Sequence, residues 1–159
     1  MNCKDKEEKG QEMKPAFIFD IDGTIADCSH RLEHIQKDNP DWDTFYSLCV
    51  NDKPIDNVCH LLRAIPMNFE IIFITGRSEK WRGHTTNWIG RIFWGFRPAL
   101  ILMRADGDHR PDYVIKKEIY DEYIKDKYNV VGVFEDRDQV VKMWRELGLT
   151  CYQVADGSY

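Results

Sequence analysis

No run of apolar residues in this 159-residue chain approaches the roughly 20 that a membrane-spanning helix needs. The amino terminus, MNCKDKEEKGQEMK, is charged where a secretory signal would be apolar. A cytoplasmic protein with no membrane partner is therefore expected. An excess of basic charge is also missing. The 22 Lys+Arg are outnumbered by 27 Asp+Glu, for a net charge of −5, so bulk charge cannot coat a nucleic acid, although a local basic groove survives that argument. Cysteine is sparse and irregular. Cys3, Cys28, Cys49, Cys59 and Cys151 form no CxxC pair, which excludes a disulfide framework and a structural zinc site. They are expected as free thiols packed like small apolar groups.

What is present reads as one globular domain, with 43% hydrophobic and 31% charged residues. Residues 1–14 are nearly all polar and are expected to be a flexible leader ahead of a domain over 15–159. Short apolar runs at 15–20 (PAFIFD), 70–77 (EIIFITGR), 98–104 (PALILMR), 129–137 (NVVGVFEDR) and 149–157 (LTCYQVADG) predict buried strands. Between them the apolar period becomes helical. Ile55, Val58, Leu61, Leu62 and Ile65 share one face behind Pro54, which suits a helix start. A stripe of Val114, Ile115, Ile119 and Tyr123 follows Pro111, and another of Val140, Val141, Trp144 and Leu147 runs into Gly148 at a helix-stop position. Further helices are expected over 78–94 and over 41–50. Non-alternating strands separated by helices predict an α/β fold with a central parallel sheet covered on both faces, and a small helical insert after strand one.

In such folds ligands bind beyond the carboxyl ends of the strands. Those ends carry Asp20, Asp22, Gly23 and Thr24; Thr75, Gly76 and Arg77; Arg104 and a polar loop through Arg110; and Glu135, Asp136 and Arg137. Clustered carboxylates raise one another's pKa unless a cation holds them. A hard divalent ion answers this, and Mg²⁺ suits carboxylates that share it with a substrate phosphate. A calcium loop does not fit, because Gly23 is fourth from Asp20 whereas an EF-hand needs glycine at the sixth position, between helices.

The segments FIFDIDGT, FITGR, IKKE and FEDR, in this order, resemble the four motifs of the haloacid dehalogenase-like (HAD) phosphatases. That likeness implies a Rossmann-like three-layer fold. RADGDHRPDYVIKKEI and FEDRDQVVKMWRELGLTCYQVADGSY further resemble the polynucleotide 3′-phosphatase domains of the T-even phage kinase/phosphatase family, from about Lys14 to Tyr159. No GxxxxGK[ST] loop occurs in the chain, so 5′-phosphorylation by it is not expected.

The resemblance implies a Mg²⁺-dependent hydrolysis through an aspartyl-phosphate. Asp20 would be the nucleophile, and Asp22 the acid/base and, through its carbonyl, a metal ligand. Thr75 would donate to a phosphoryl oxygen, Gly76 beside it would bind substrate, and Gly23 would permit the tight turn that brings backbone close to the phosphate. Lys116 borders the apolar stripe of its helix while Lys117 faces away, so Lys116 is the expected catalytic lysine. Of the acidic pair, Asp136 is expected on the metal with Glu135 beside it, and Asp138 at a helix start. Arg77 and Arg104 are expected to grip phosphate, with Arg110 as a further candidate.

From Arg77 to Arg104 six basic residues meet one acid, Glu79, together with Trp81, Trp88 and Trp94. This is the composition of a single-strand binder, or of an amphipathic helix with buried aromatics. Expected partners are DNA or RNA 3′-phosphate ends, with a separate kinase or ligase. Two other readings are a phosphatase of small nucleotides or sugar phosphates, and an idle module that binds nucleic-acid ends.

Overall fold

The structure is a computed structural model that describes residues 12–157; the expected leader lies largely outside them, and Lys14 already opens the first strand. Among the described residues, β1 (Lys14–Phe19), β4 (Glu70–Ser78), β5 (Leu100–Arg104), β6 (Tyr128–Arg137) and β7 (Cys151–Gly157) form a parallel sheet in the order β5-β4-β1-β6-β7. The intervening short strands, β2 (Ala26–Asp27) and β3 (Lys53–Pro54), pair antiparallel in a sheet of their own. The α/β expectation holds, and the chain runs outward from β1 on one side before returning to build β6 and β7 on the other. The order therefore reverses beside β1, where a crevice opens at the strand ends.

Successive side chains in each strand point to opposite faces. Ala16, Ile18, Ile72, Ile74 and Val133 pack against Ile115 and Ile119 of α4 (Asp112–Tyr123) and Val140, Val141 and Trp144 of α5 (Asp138–Glu146). Phe19, Ile71, Phe73 and Phe134 pack the other way, against Val58 and Leu62 of α2 (Asp56–Ala64) and Trp88 and Ile89 of α3 (Arg82–Ile92). Each such side chain contributes roughly 1.5–3 kcal/mol on burial. The result is three layers. Gly148 ends α5 with φ +80, as its position after the stripe predicts. The described cysteines are free and buried; Cys3 lies outside the described residues. No helix among them is long and apolar enough to cross a membrane.

The insert after β1 carries α1 (Trp42–Ser47), started by the Asp41 side chain accepting from the Thr44 N–H at 3.0 Å. A 3₁₀ turn over Ser29–His34 precedes it and another over Leu48–Asn51 follows. The β2–β3 pair closes the neck of this insert. Two-residue strands carry too little pattern to read from sequence. Pro54 sits in β3, and α2 starts at Asp56 instead. Proline lacks an N–H, which an isolated edge pair tolerates.

Candidate active site

β1, β4 and β6 are adjacent and parallel, so their last residues arrive together at one edge. A stack of Phe19 on Phe134 (4.4 Å, 7°) and of Phe134 on Tyr152 (5.0 Å, 21°) fixes the strand ends beneath it. Asp20 follows Phe19 and donates its N–H to Phe134 O at 3.0 Å. Glu135 and Asp136 follow Phe134, and all three carboxylates are buried. Gly23, at φ +82, adopts a backbone that side chains resist; its N–H reaches Ala26 O at 2.9 Å and turns the loop back at once.

Lys116 is brought in by α4, 2% exposed, and donates to Asp20 Oδ1 at 2.6 Å and Glu135 Oε2 at 2.7 Å. Its neighbour Lys117 faces solvent and pairs with Asp121 at 2.5 Å. Asp20, Glu135 and Asp136 each offer an oxygen within 4.8 Å of the others. Three buried carboxylates against one ammonium leave an excess of negative charge. Burial pushes the Asp20 carboxyl up to about 7, with Asp136 adding to the rise and Lys116 opposing it. Burial and Asp20 raise Glu135 likewise. Oxygen donors alone, buried and short of positive charge, fit a hard divalent cation.

Asp22 is in a different environment. Arg31, from the first 3₁₀ turn, and Arg77, at the end of β4, both donate to its carboxylate; the Arg77 contacts are 2.5 Å, 3.0 Å and 3.2 Å. The same two guanidinium groups flank Asp52 at 2.7–2.9 Å. The Asp52 carbonyl in turn accepts from Trp88 Nε1 at 2.8 Å. Two cations and two anions thus compensate each other, with both arginines fully buried; removing one partner from such a set costs about 3–5 kcal/mol. Burial works to raise the Asp22 pKa, but Arg77 and Arg31 outweigh it and hold the carboxyl well below its usual range. The Asp22 carboxylate is thus turned to the arginines.

Arg77 is one of the residues expected to grip phosphate. Its guanidinium is spent on Asp22, Asp52 and Thr85 and does not line the cleft. Arg31 and Asp52 were missed by sequence reasoning. Both sit in an insert of short 3₁₀ turns, and no periodicity or motif spacing marks them.

The cleft has a volume of about 100 Å³ and is lined by Asp20, Asp22, Thr75, Gly76, Lys116 and Asp136, among others. Thr75 Oγ1 accepts from the Arg77 N–H at 3.2 Å, which leaves its own hydrogen to donate. Gly76 lets α4 come close: a Cβ there would meet Asp112 Oδ1 at 2.3 Å. Arg104 is on the cleft wall, but its guanidinium donates to Gly76 O at 2.8 Å, Asp108 O at 3.1 Å, Arg110 O at 2.6 Å and the Asp112 carboxylate. It organises the loop after β5. Arg110 lies outside this cleft, half-exposed and paired with Asp108 and Glu118. Asp138 opens α5 and accepts from Gln153 at 2.6 Å.

The basic aromatic segment does not form one face. Trp88 and Phe93 are in the core, Trp94 is exposed, and Arg82 and Lys80 are paired with Glu79 and Asp43. Only Trp81 and Lys80 join a recess next to the cleft, together with Arg104.

Comparison with known proteins agrees with this geometry. The profile of the polynucleotide kinase PNKP phosphatase domain matches residues 14–159. A protein of Autographa californica nuclear polyhedrosis virus, named as a bifunctional polynucleotide kinase/RNA ligase, is 34% identical over 143 residues, covering 87% of this chain and 19% of its own length. A chain in a Pnkp1/Rnl/Hen1 complex superposes with TM-score 0.77 at 31% identity, over 94% of this chain and 49% of that one. A second, from the Pnkp1/Rnl/Hen1 RNA repair complex, gives 0.78 at 32%, over 94% and 45%. A class C acid phosphatase from Bacillus anthracis shares the fold at TM-score 0.64 and 16% identity, over 95% of this chain and 70% of that one. The chain thus spans half or less of the length of the viral relative and of the two repair-complex chains.

Proposed function

Because the chain belongs to the polynucleotide kinase PNKP phosphatase domain family and is a HAD-type phosphatase domain, we propose that it removes 3′-phosphate from polynucleotide ends with the aid of Mg²⁺. The observation that carries this reading is Lys116 Nζ at 2.6 Å from Asp20, inside a cluster of buried carboxylates. A carboxylate near a phosphate anion is opposed by roughly 4 kcal/mol per charge pair at about 4 Å and an effective dielectric of about 20. Lys116 offsets part of that repulsion. Asp20, Asp136 and the Asp22 carbonyl would hold the ion, with Glu135 bound to Lys116 beside them. Mg²⁺, when bound, neutralises phosphoryl charge.

Asp20 attacks phosphorus, the P–O3′ bond breaks, and the 3′-oxygen takes a proton from Asp22. Water then attacks phosphorus, the bond to Asp20 breaks, Asp22 takes the water's proton, and inorganic phosphate leaves. The arginines hold Asp22 ionised, so the proton it gives the 3′-oxygen is taken up from solvent as the substrate binds, and the proton it takes from the attacking water restores it. The phosphate dianion entering beside it adds like charge, which favours the acid form for the first half. The Thr75 hydroxyl and the backbone at Gly76 position the phosphate. In the RNA repair complex the related chain is assembled with Rnl and Hen1; a separate ligase is proposed as a partner here.

Asp20→Asn removes the attacking charge and keeps the shape. It is expected to abolish phosphate release from a 3′-phosphorylated oligonucleotide, with an unchanged circular dichroism spectrum. Retention of more than a few per cent of wild-type turnover contradicts the assignment.

A further inference from the structure

A second recess of about 310 Å³ opens beside the catalytic cleft and shares Trp42, Tyr46, Arg104, Asp112 and Arg137 with it. Trp42 is 45% exposed, yet it is braced. Its ring stacks on Tyr46 (5.8 Å, 27°) and meets Phe45 edge-on (5.8 Å, 84°). Tyr46 Oη donates to Gly76 O at 3.2 Å, so this aromatic platform is tied to the backbone that borders the reacting phosphate. Trp81 lines the same recess.

The recess walls carry four cations, Lys80, Arg104, Arg110 and Arg137, and four acids, Asp43, Asp106, Asp108 and Asp112. Lys80 pairs with Asp43 at 2.8 Å, Arg110 with Asp108 at 2.8 Å, Arg104 with Asp112, and Arg137 with Asp112 at 3.3 Å. A polyanionic backbone is drawn to uncompensated cations. A rigid aromatic platform with balanced charge suits a neutral, flat ring instead, and every base offers a π-face.

We propose that this recess is a base-binding subsite that takes the terminal nucleoside of the strand whose phosphate is removed. The inference rests on the polynucleotide 3′-phosphatase reading. Phosphate sits over Asp20, the sugar bridges the shared rim, and the base stacks on Trp42 inside the recess. Trp42 and Trp81 are then specificity residues, and any of the four bases is accepted.

The test uses the inactive Asp20→Asn chain, so that binding is read without turnover. Its dissociation constant is measured for a 3′-phosphorylated oligonucleotide with the terminal base present and for one with an abasic tetrahydrofuran residue in its place. Wild-type turnover of the intact strand is measured alongside. Loss of the base should weaken binding about tenfold, the scale for one stacked base. Adding Trp42→Ala should shrink that penalty below about twofold, Trp42→Phe should keep most of it, and Trp81→Ala should reduce it. An abasic penalty that is absent, or that survives both alanine variants unchanged, overturns the subsite. If the penalty behaves as expected but wild type releases no phosphate from the strand, the subsite stands and the phosphatase reading falls.

Discussion

Asp20 and Asp22 lie two residues apart in one loop and are driven in opposite directions. Burial with Asp136 nearby lifts Asp20 to about 7, whereas Arg77 and Arg31 hold Asp22 well below its usual range. The consequence for stability follows from proton linkage. Between about pH 4, the unfolded value, and pH 7 the folded chain holds more protons on Asp20 than the unfolded chain does. Without metal, Asp20 therefore makes the fold less stable as pH rises through that window, the reverse of an ordinary carboxylate. A divalent ion on the cluster relieves this. Thermal unfolding should show Mg²⁺ raising Tm at pH 8, with little effect at pH 5 and little in Asp136→Ala at either pH. A Mg²⁺ effect equal at both pH values, or intact in Asp136→Ala, contradicts the metal site. Asp20, Asp22, Thr75, Lys116 and the acidic pair were legible in the sequence because strand ends and a helical stripe fix where they go. Arg31 and Asp52 were not, since their partners lie far along the chain and their own segment has no period.

At the scale of elements, strands and helices were legible wherever an apolar period ran for a full turn or a whole strand. The aromatic-basic segment misled because composition does not say which face a side chain takes. Trp88 turns into the core beneath the Asp52 carbonyl, while Trp94 turns out. The loop after β5 is a rim held by Arg104 through Gly76, Asp108, Arg110 and Asp112. Hydrogen bonds from a charged donor contribute about 1.5–3 kcal/mol each. Arg104→Ala should thus speed amide exchange in residues 105–110 by at least tenfold and lower turnover, and Arg104→Lys should not restore either, because an ammonium cannot reproduce the guanidinium fork. Exchange unchanged in Arg104→Ala would show that the loop holds itself.

The whole molecule carries a net charge of −5 and presents no continuous basic face along α3. The proposed recognition of a strand is accordingly local, resting on the cleft and the recess beside it. In the proposed mechanism any alkoxide could take the proton from Asp22, so discrimination between ends is proposed to come from what surrounds the motifs. The measurement that tests this most directly is phosphate release from one oligonucleotide phosphorylated at its 3′ end and the same oligonucleotide phosphorylated at its 5′ end, in Mg²⁺. Rapid release from the 3′ end with little from the 5′ end is the predicted result. Equal rates from both ends would contradict it and leave a general HAD phosphatase.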